Sequence, residues 1–247
     1  MVFNLLLLGL IMATPFYLPS DTLATPISPT PNANWEDTSI LARTTAPTAK
    51  RSSAMTTVTF SDADDTAKDI LFKQFVSAEL TAGQTITGSQ ALKMQVRADE
   101  TLAANNMFVT LGIRVIASDG STVRKIVLAV TQDNVEVSNE VDGPPLQNRQ
   151  FTATSAATNY TTVTGDYLVF ELGTGGNPGA GGTHDSQLRL GDAAASDLSE
   201  DNTSTTDNNP WIELTDTLTF VTAGLSAAIQ AAAVRSIKPG QIGVRQA

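Results

Sequence analysis

The stretch Met107–Thr131, MFVTLGIRVIASDGSTVRKIVLAVT, decides how the chain folds. Val109, Leu111, Ile113 and Val115 fall on one face of an extended strand, because successive side chains of a strand point to opposite sides. The other face carries Phe108, Thr110, Gly112 and Arg114, so only one side is uniformly apolar. SDGS (118–121) then turns the chain and TVRKIVLAVT runs back. Alternating runs on either side of an Asp-Gly turn predict a β-hairpin.

The same alternation recurs outward from this hairpin. In ALKMQVRA (91–98), Leu92, Met94 and Val96 oppose Lys93, Gln95 and Arg97. MTTVTF, DILFKQFVSA, NRQFTAT, GDYLVFELG, SQLRLGD and WIELTDTLTF read as further strands. In the last, Ile212, Leu214, Leu218 and Phe220 share a parity that Asp216 interrupts. A bulge there, or a buried partner for Asp216, accounts for the break, and the bulge is preferred. No helical period and no βαβ alternation appear between Met55 and Phe220. About ten short strands separated by Gly, Asn and Pro turns predict an all-β, antiparallel β-sandwich of jelly-roll type.

The two ends differ from this body. Leu5–Ile11, LLLLGLI, falls short of the roughly 20 apolar residues of a spanning helix, so no membrane span is expected. Its length suits a secretory signal, but the first basic residue is Arg43. A start at Met12 and an uncleaved apolar arm are the other two readings of residues 1–11. Residues 12–54 hold Pro15, Pro19, Pro26, Pro29 and Pro31 and predict an extended Pro-rich N-terminal arm. Phe16, Tyr17 and Trp35 are its candidate contacts for assembly. Residues 55–220 form the sandwich domain, and 221–247 an Ala-rich tail that predicts a short C-terminal helix, with Ser226 as N-cap.

Charged residues are 16% of the 247, against roughly 25% in an average domain. The formal net charge of −10 argues against binding a phosphate backbone. With no Cys and one His, thiolate chemistry and sites needing two imidazoles are excluded.

Local chemistry is sparse. The Gly-rich run GTGGNPGAGGTHDS (173–186) follows a strand but opens no helix, so it reads as a loop, and His184 in it as a surface residue. Asp192, Asp197, Glu200, Asp201 and Asp207 crowd one loop with Asn202, Asn208 and Asn209. Calcium takes six to eight oxygens and such a loop supplies them, though without EF-hand spacing. The plainer reading is a solvated loop of Asx-turns. A glycosidase could pair carboxylates from separate strands, for which Glu171 and Glu213 are the candidates.

The order of MATPFYLPS, NWEDTSI, QFVSAELTAGQTITGSQALKMQVRADET, NNMFVTLGIRVIASDGSTVRK, GDYLVFELG and LRLGDAAASDLSEDNTSTTDNNPWIELTDTLTF resembles structural proteins of bacteriophages and environmental viruses. The resemblance covers 12–220. It implies a non-enzymatic virion protein, a capsid decoration or tail-associated sandwich that self-associates or binds a capsid or tail partner through its terminal arms. No cofactor is expected, apart from the calcium ion that the composition of the acidic loop would admit. The alternative is a secreted carbohydrate-binding module of the same fold, and a hydrolase is the third reading.

Overall fold

The computed structural model describes residues 13–39, 41–62, 67–100, 106–137, 146–176, 184–194 and 196–221. The leader expected at 1–11 and the helix expected beyond 221 lie outside these residues.

The described residues are all β. The strands in chain order are β1 (Thr14–Tyr17), β2 (Ala42–Thr45), β3 (Thr56–Asp62), β4 (Lys68–Glu79), β5 (Thr85–Ile86), β6 (Ala91–Glu100), β7 (Met107–Ala117), β8 (Val123–Gln132), β9 (Gln147–Thr154), β10 (Tyr160–Thr161), β11 (Asp166–Gly176), β12 (His184–Leu190) and β13 (Trp211–Leu214). One sheet has the order β1-β13-β6-β12-β3, with β9 on the other edge of β6. The second has the order β2-β4-β11-β7-β8, and β5 pairs with β10 separately. β12 and β13 share one edge of β6: β12 meets Arg97–Glu100 and β13 meets Leu92–Gln95.

The two sheets face each other across one core. Leu92, Met94, Val96, Phe151 and Leu188 come from the first, and Val109, Leu111, Ile113, Val115, Phe170 and Leu172 from the second. The core-facing residues of β6 and β7 are those that alternation in the sequence selects. The turn between β7 and β8 forms as expected. Gly120 takes a φ of 73°, and the Asp119 carboxylate accepts the amides of Ser121 and Thr122.

Three features depart from the sequence reading. The sheets are not wholly antiparallel, because β2 runs parallel to β4. Before reaching that edge the chain has already crossed the outer face of the second sheet, and it arrives pointing the same way as β4. Asp216 sits in no bulge of a strand. β13 ends at Leu214, and the Asp216 carboxylate accepts bonds from the Thr87 amide and the Gln90 side chain.

Finally, the Pro-rich segment contributes β1 and β2 and lies on its own chain. Phe16 enters the core, 4.6 Å from the ring of Phe170 and 5.9 Å from that of Phe220. Ile27 packs on Val76, Ile116, Tyr167 and Val169 across the outer face of the second sheet.

That covering explains a buried polar strip the alternation left facing water. Glu171 on β11 accepts hydrogen bonds from the Asn32 amide (3.0 Å), Trp35 Nε1 (3.2 Å) and Gln74 Nε2 (2.9 Å), and pairs with Arg114 at 2.6 Å. A buried charge persists only when paired and hydrogen-bonded. Here the donors come from two neighbouring strands and from the segment lying across them. Gly173 makes room for this seat, since a Cβ there would meet the Ile70 carbonyl and stand 2.9 Å from the Trp35 ring.

Candidate functional site: an apolar groove at a strand bulge

β4 has β11 along one edge as far as Glu79, while its other edge loses β2 after Val76. Its pairing with β11 slips between Val76↔Val169 and Glu79↔Tyr167, which leaves one extra residue on β4. The Ser77 hydroxyl fills the missing rung by accepting the Leu168 amide at 2.9 Å. On the other edge, β2 stays paired as far as Thr45↔Val76, and the Ala46 amide adds one bond to the Val76 carbonyl. Pro47 comes next, with no N–H to extend the ladder, and the chain peels away. Beyond the gap, Phe220 bridges Leu80 antiparallel and the Val221 amide donates to the Glu79 carbonyl.

The gap between these two partial neighbours is a groove of about 580 Å³. Pro26, Ala46, Pro47 and Ala49 wall it on one side, and Phe220 and Val221 close one end. Ser77, Ala78, Glu79 and Tyr167 give it its floor and its polar groups. Glu79 Oε1 accepts the Gly165 amide at 2.8 Å. Burial, and then the adjacent Glu79 carboxylate, hold the Tyr167 phenol above its ordinary value. An apolar cleft of a few hundred Å³ with a small number of fixed polar groups is the usual form of a small-molecule site.

Two other polar clusters are built into the body. Lys73 Nζ donates to the carbonyls of Pro19 (3.2 Å), Ser20 (2.6 Å) and Asp21 (2.8 Å). Burial brings it down to about 8, partly offset by the Asp21 carboxylate. At the far end of the sandwich, Glu100 accepts the Met107 amide at 2.9 Å. Burial pushes Glu100 up to about 7 against that bond, and Glu136 and Asp99 add to the rise. Asp133, also raised by burial, lies 3.7 Å from Arg149, whose guanidinium donates to the Val135 carbonyl.

The residues singled out in the sequence are dispersed. Asp197 pairs with Lys50 at 3.1 Å and Glu200 with Lys93 at 2.9 Å, while Asp207 pairs with Arg97 and Arg189. Asp192 and Asp201 turn back onto nearby amides, of Ala194 and of Thr203 and Ser204. Among the described residues no three metal-ligating side chains gather. Phe16 and Trp35 are inside the body, and Tyr17 lies under Lys50, whose Nζ is 5.9 Å from its ring. Glu171 and Glu213 stand on different sheets, on β11 and β13. His184 opens β12, paired with Asp62.

The groove itself was missed. Its signal in the sequence is slight: two small residues, Ser77-Ala78, interrupt the β4 pattern, and Pro47 comes directly after TTA.

No family model and no curated protein matches the chain. Several solved structures do. A CocE/NonD family hydrolase from Staphylococcus aureus matches with 8% identity and a TM-score of 0.41, over 82% of this chain and 36% of that one. An α-amino acid ester hydrolase matches with 11% identity and a TM-score of 0.45, over 83% of this chain and 36% of that one. The chain thus spans about a third of the length of these hydrolases. The VP2 subviral particle of infectious bursal disease virus matches with 13% identity and a TM-score of 0.23, over 71% of this chain and 40% of that one.

These findings correct two expectations, that the chain is a non-enzymatic virion structural protein and that it is no enzyme. The two hydrolases named above match over more than four-fifths of the chain, and the VP2 subviral particle over 71% of it. At such low identity the likeness assigns no activity. Stacking of a sugar needs exposed aromatic rings, and the two Trp singled out for that alternative, Trp35 and Trp211, are buried at 5% and 7% exposure.

Proposed function

We propose that the chain is a ligand-binding β-sandwich that takes a small apolar molecule carrying an amine in the groove at the β4 bulge. We read the connectivity, β3-β12-β6-β9 against β4-β11-β7-β8, as a jelly roll. The observation that carries the functional reading is the groove itself. Its lining is mostly Pro, Ala, Val, Phe and Tyr, with the hydroxyls of Thr45, Thr48 and Ser77, and its one carboxylate is Glu79. The apolar body of a ligand would displace water from the walls at about 25 cal/mol per Å² of surface removed. An ammonium would complete the shell of Glu79, whose Oε1 already holds the Gly165 amide. The chain's net charge of −10 favours approach of a cation over an anion.

The test uses N-phenyl-1-naphthylamine, a neutral dye that brightens in apolar sites, with the full chain. Benzylamine should displace it more effectively than benzyl alcohol or benzoate, and Glu79→Gln should erase that preference. Equal displacement by all three from the unaltered protein would contradict the proposal.

A further inference from the structure

The floor of the groove offers main chain as well as a carboxylate. Among the described residues, no strand flanks this edge of β4 between Val76, where β2 stops, and Glu79, whose carbonyl accepts the Val221 amide. The slip in pairing with β11 falls within the same short stretch. A bulge leaves the main chain of its extra residue outside the ladder, and here that main chain is the Ser77–Ala78 peptide unit, on the groove floor. The Ser77 hydroxyl is already used within the sheet, accepting the Leu168 amide and donating to the Ala78 carbonyl at 2.6 Å. Among the described residues, no loop or turn group bonds the Ser77 carbonyl or the Ala78 N–H. A ligand in the groove therefore meets one main-chain acceptor, one main-chain donor and, at the next residue, the Glu79 carboxylate.

The start of a polypeptide matches that set. Its first peptide unit carries one acceptor and one donor, and its α-ammonium stands a single carbon away. Phe220 and Val221 close the groove at the end where Val221 bonds Glu79, so a chain end fits there and the middle of a chain does not. The charge selects which end, because Glu79 attracts an ammonium and repels a terminal carboxylate. Running away from Glu79, the ligand soon reaches the edge that β2 occupies at Val76, so only its first residues lie in the gap. Pro26, Ala46 and Pro47 on the wall and Tyr167 on the floor suit an apolar first side chain.

We infer that the groove at the β4 bulge captures the N-terminus of another polypeptide, with the α-ammonium on Glu79, the first peptide unit on Ser77–Ala78, and an apolar first side chain against Pro47 and Tyr167. The inference rests on the amine-binding reading above and names the class of amine. Unpaired strand edges and terminal amines are both recurrent handles in peptide recognition. The bulge supplies the first and Glu79 the second, at adjacent positions of one strand.

The test is displacement of N-phenyl-1-naphthylamine from the full chain by compounds that share the leucine side chain. Leu-Ala amide carries the ammonium and the peptide unit, whereas 3-methylbutylamine carries the ammonium alone. Leu-Ala amide should displace the dye at about tenfold lower concentration, the effect of one or two added hydrogen bonds. N-acetyl-Leu-Ala amide, which lacks the ammonium, should lose that advantage, and Glu79→Gln should bring Leu-Ala amide down to the level of its acetylated form.

The outcomes separate this inference from the reading it rests on. Equal displacement by Leu-Ala amide and 3-methylbutylamine, both better than 3-methylbutanol, would overturn the inference and leave the amine site standing. Displacement by N-acetyl-Leu-Ala amide as strong as by the free peptide would overturn capture of a terminus. If both amines displace the dye no better than 3-methylbutanol, the amine-binding reading falls and the inference falls with it.

Discussion

Single residues carry several of the structure's sharpest commitments. Glu100 faces the inside of the sandwich, and burial pushes its carboxyl up to about 7 from an ordinary value of 4.5. Between those values the folded chain holds a proton that the unfolded chain has lost. Stability must then fall as pH rises from about 4.5 to about 7. Urea midpoints at pH 5 and pH 7.5 should show this drop, and Glu100→Gln should flatten it. Lys73 acts in the opposite sense at higher pH. Its folded value of about 8 lies below the ordinary 10.5, so the unfolded chain binds the extra proton and stability rises across that window. Gly173 is a steric commitment: Gly173→Ala drives a methyl into the Ile70 carbonyl and the Trp35 ring and should cost about 1–3 kcal/mol. Thermal unfolding monitored by Trp fluorescence would show it. Alternation in the sequence marks neither Lys73 nor Gly173, because each owes its role to chain that crosses it from far away.

Among the elements, the segment from Thr14 to Thr45 has the widest consequences. Its prolines identify extended chain correctly, but extension says nothing about destination. A strand needs an edge to pair with, and β1 finds β13 while β2 finds β4. The segment between them covers a face whose Arg114, Gln74 and Glu171 look solvent-directed in the sequence and are buried in the fold. Two consequences can be measured by chemical unfolding. Phe16→Ala should cost about 3–5 kcal/mol, the loss expected for an aromatic ring removed from a core and far above that of a mobile arm. Glu171→Gln should cost about 3–5 kcal/mol because it leaves the Arg114 guanidinium buried without its counter-charge. The acidic loop makes the contrasting case. With Lys50, Lys93, Arg97 and Arg189 balancing its carboxylates, EDTA should leave the melting temperature unchanged. A clear fall on chelation, restored by calcium, would show that the loop holds an ion.

At the scale of the whole molecule, the sandwich was legible and the site was not. Period-two patterning reports which side of a strand meets the core, and the β6 and β7 residues that form it could be read directly. It does not report where a neighbouring strand stops. The groove arises from three such stops: the bulge at Ser77, the missing donor at Pro47, and the late arrival of Phe220 and Val221. None has a strong signature, and they lie far apart in the chain. The proposed function follows the same logic: it would rest on a gap in a sheet edge with a carboxylate beside it, not on a cluster of reactive side chains.

The most direct examination of that account is a crystal structure of the full chain soaked with benzylamine. The account predicts the ring between Pro47 and Tyr167 and the ammonium within hydrogen-bond reach of Glu79. Benzylamine bound elsewhere, or an open groove left empty while the amine displaces dye in solution, would contradict it.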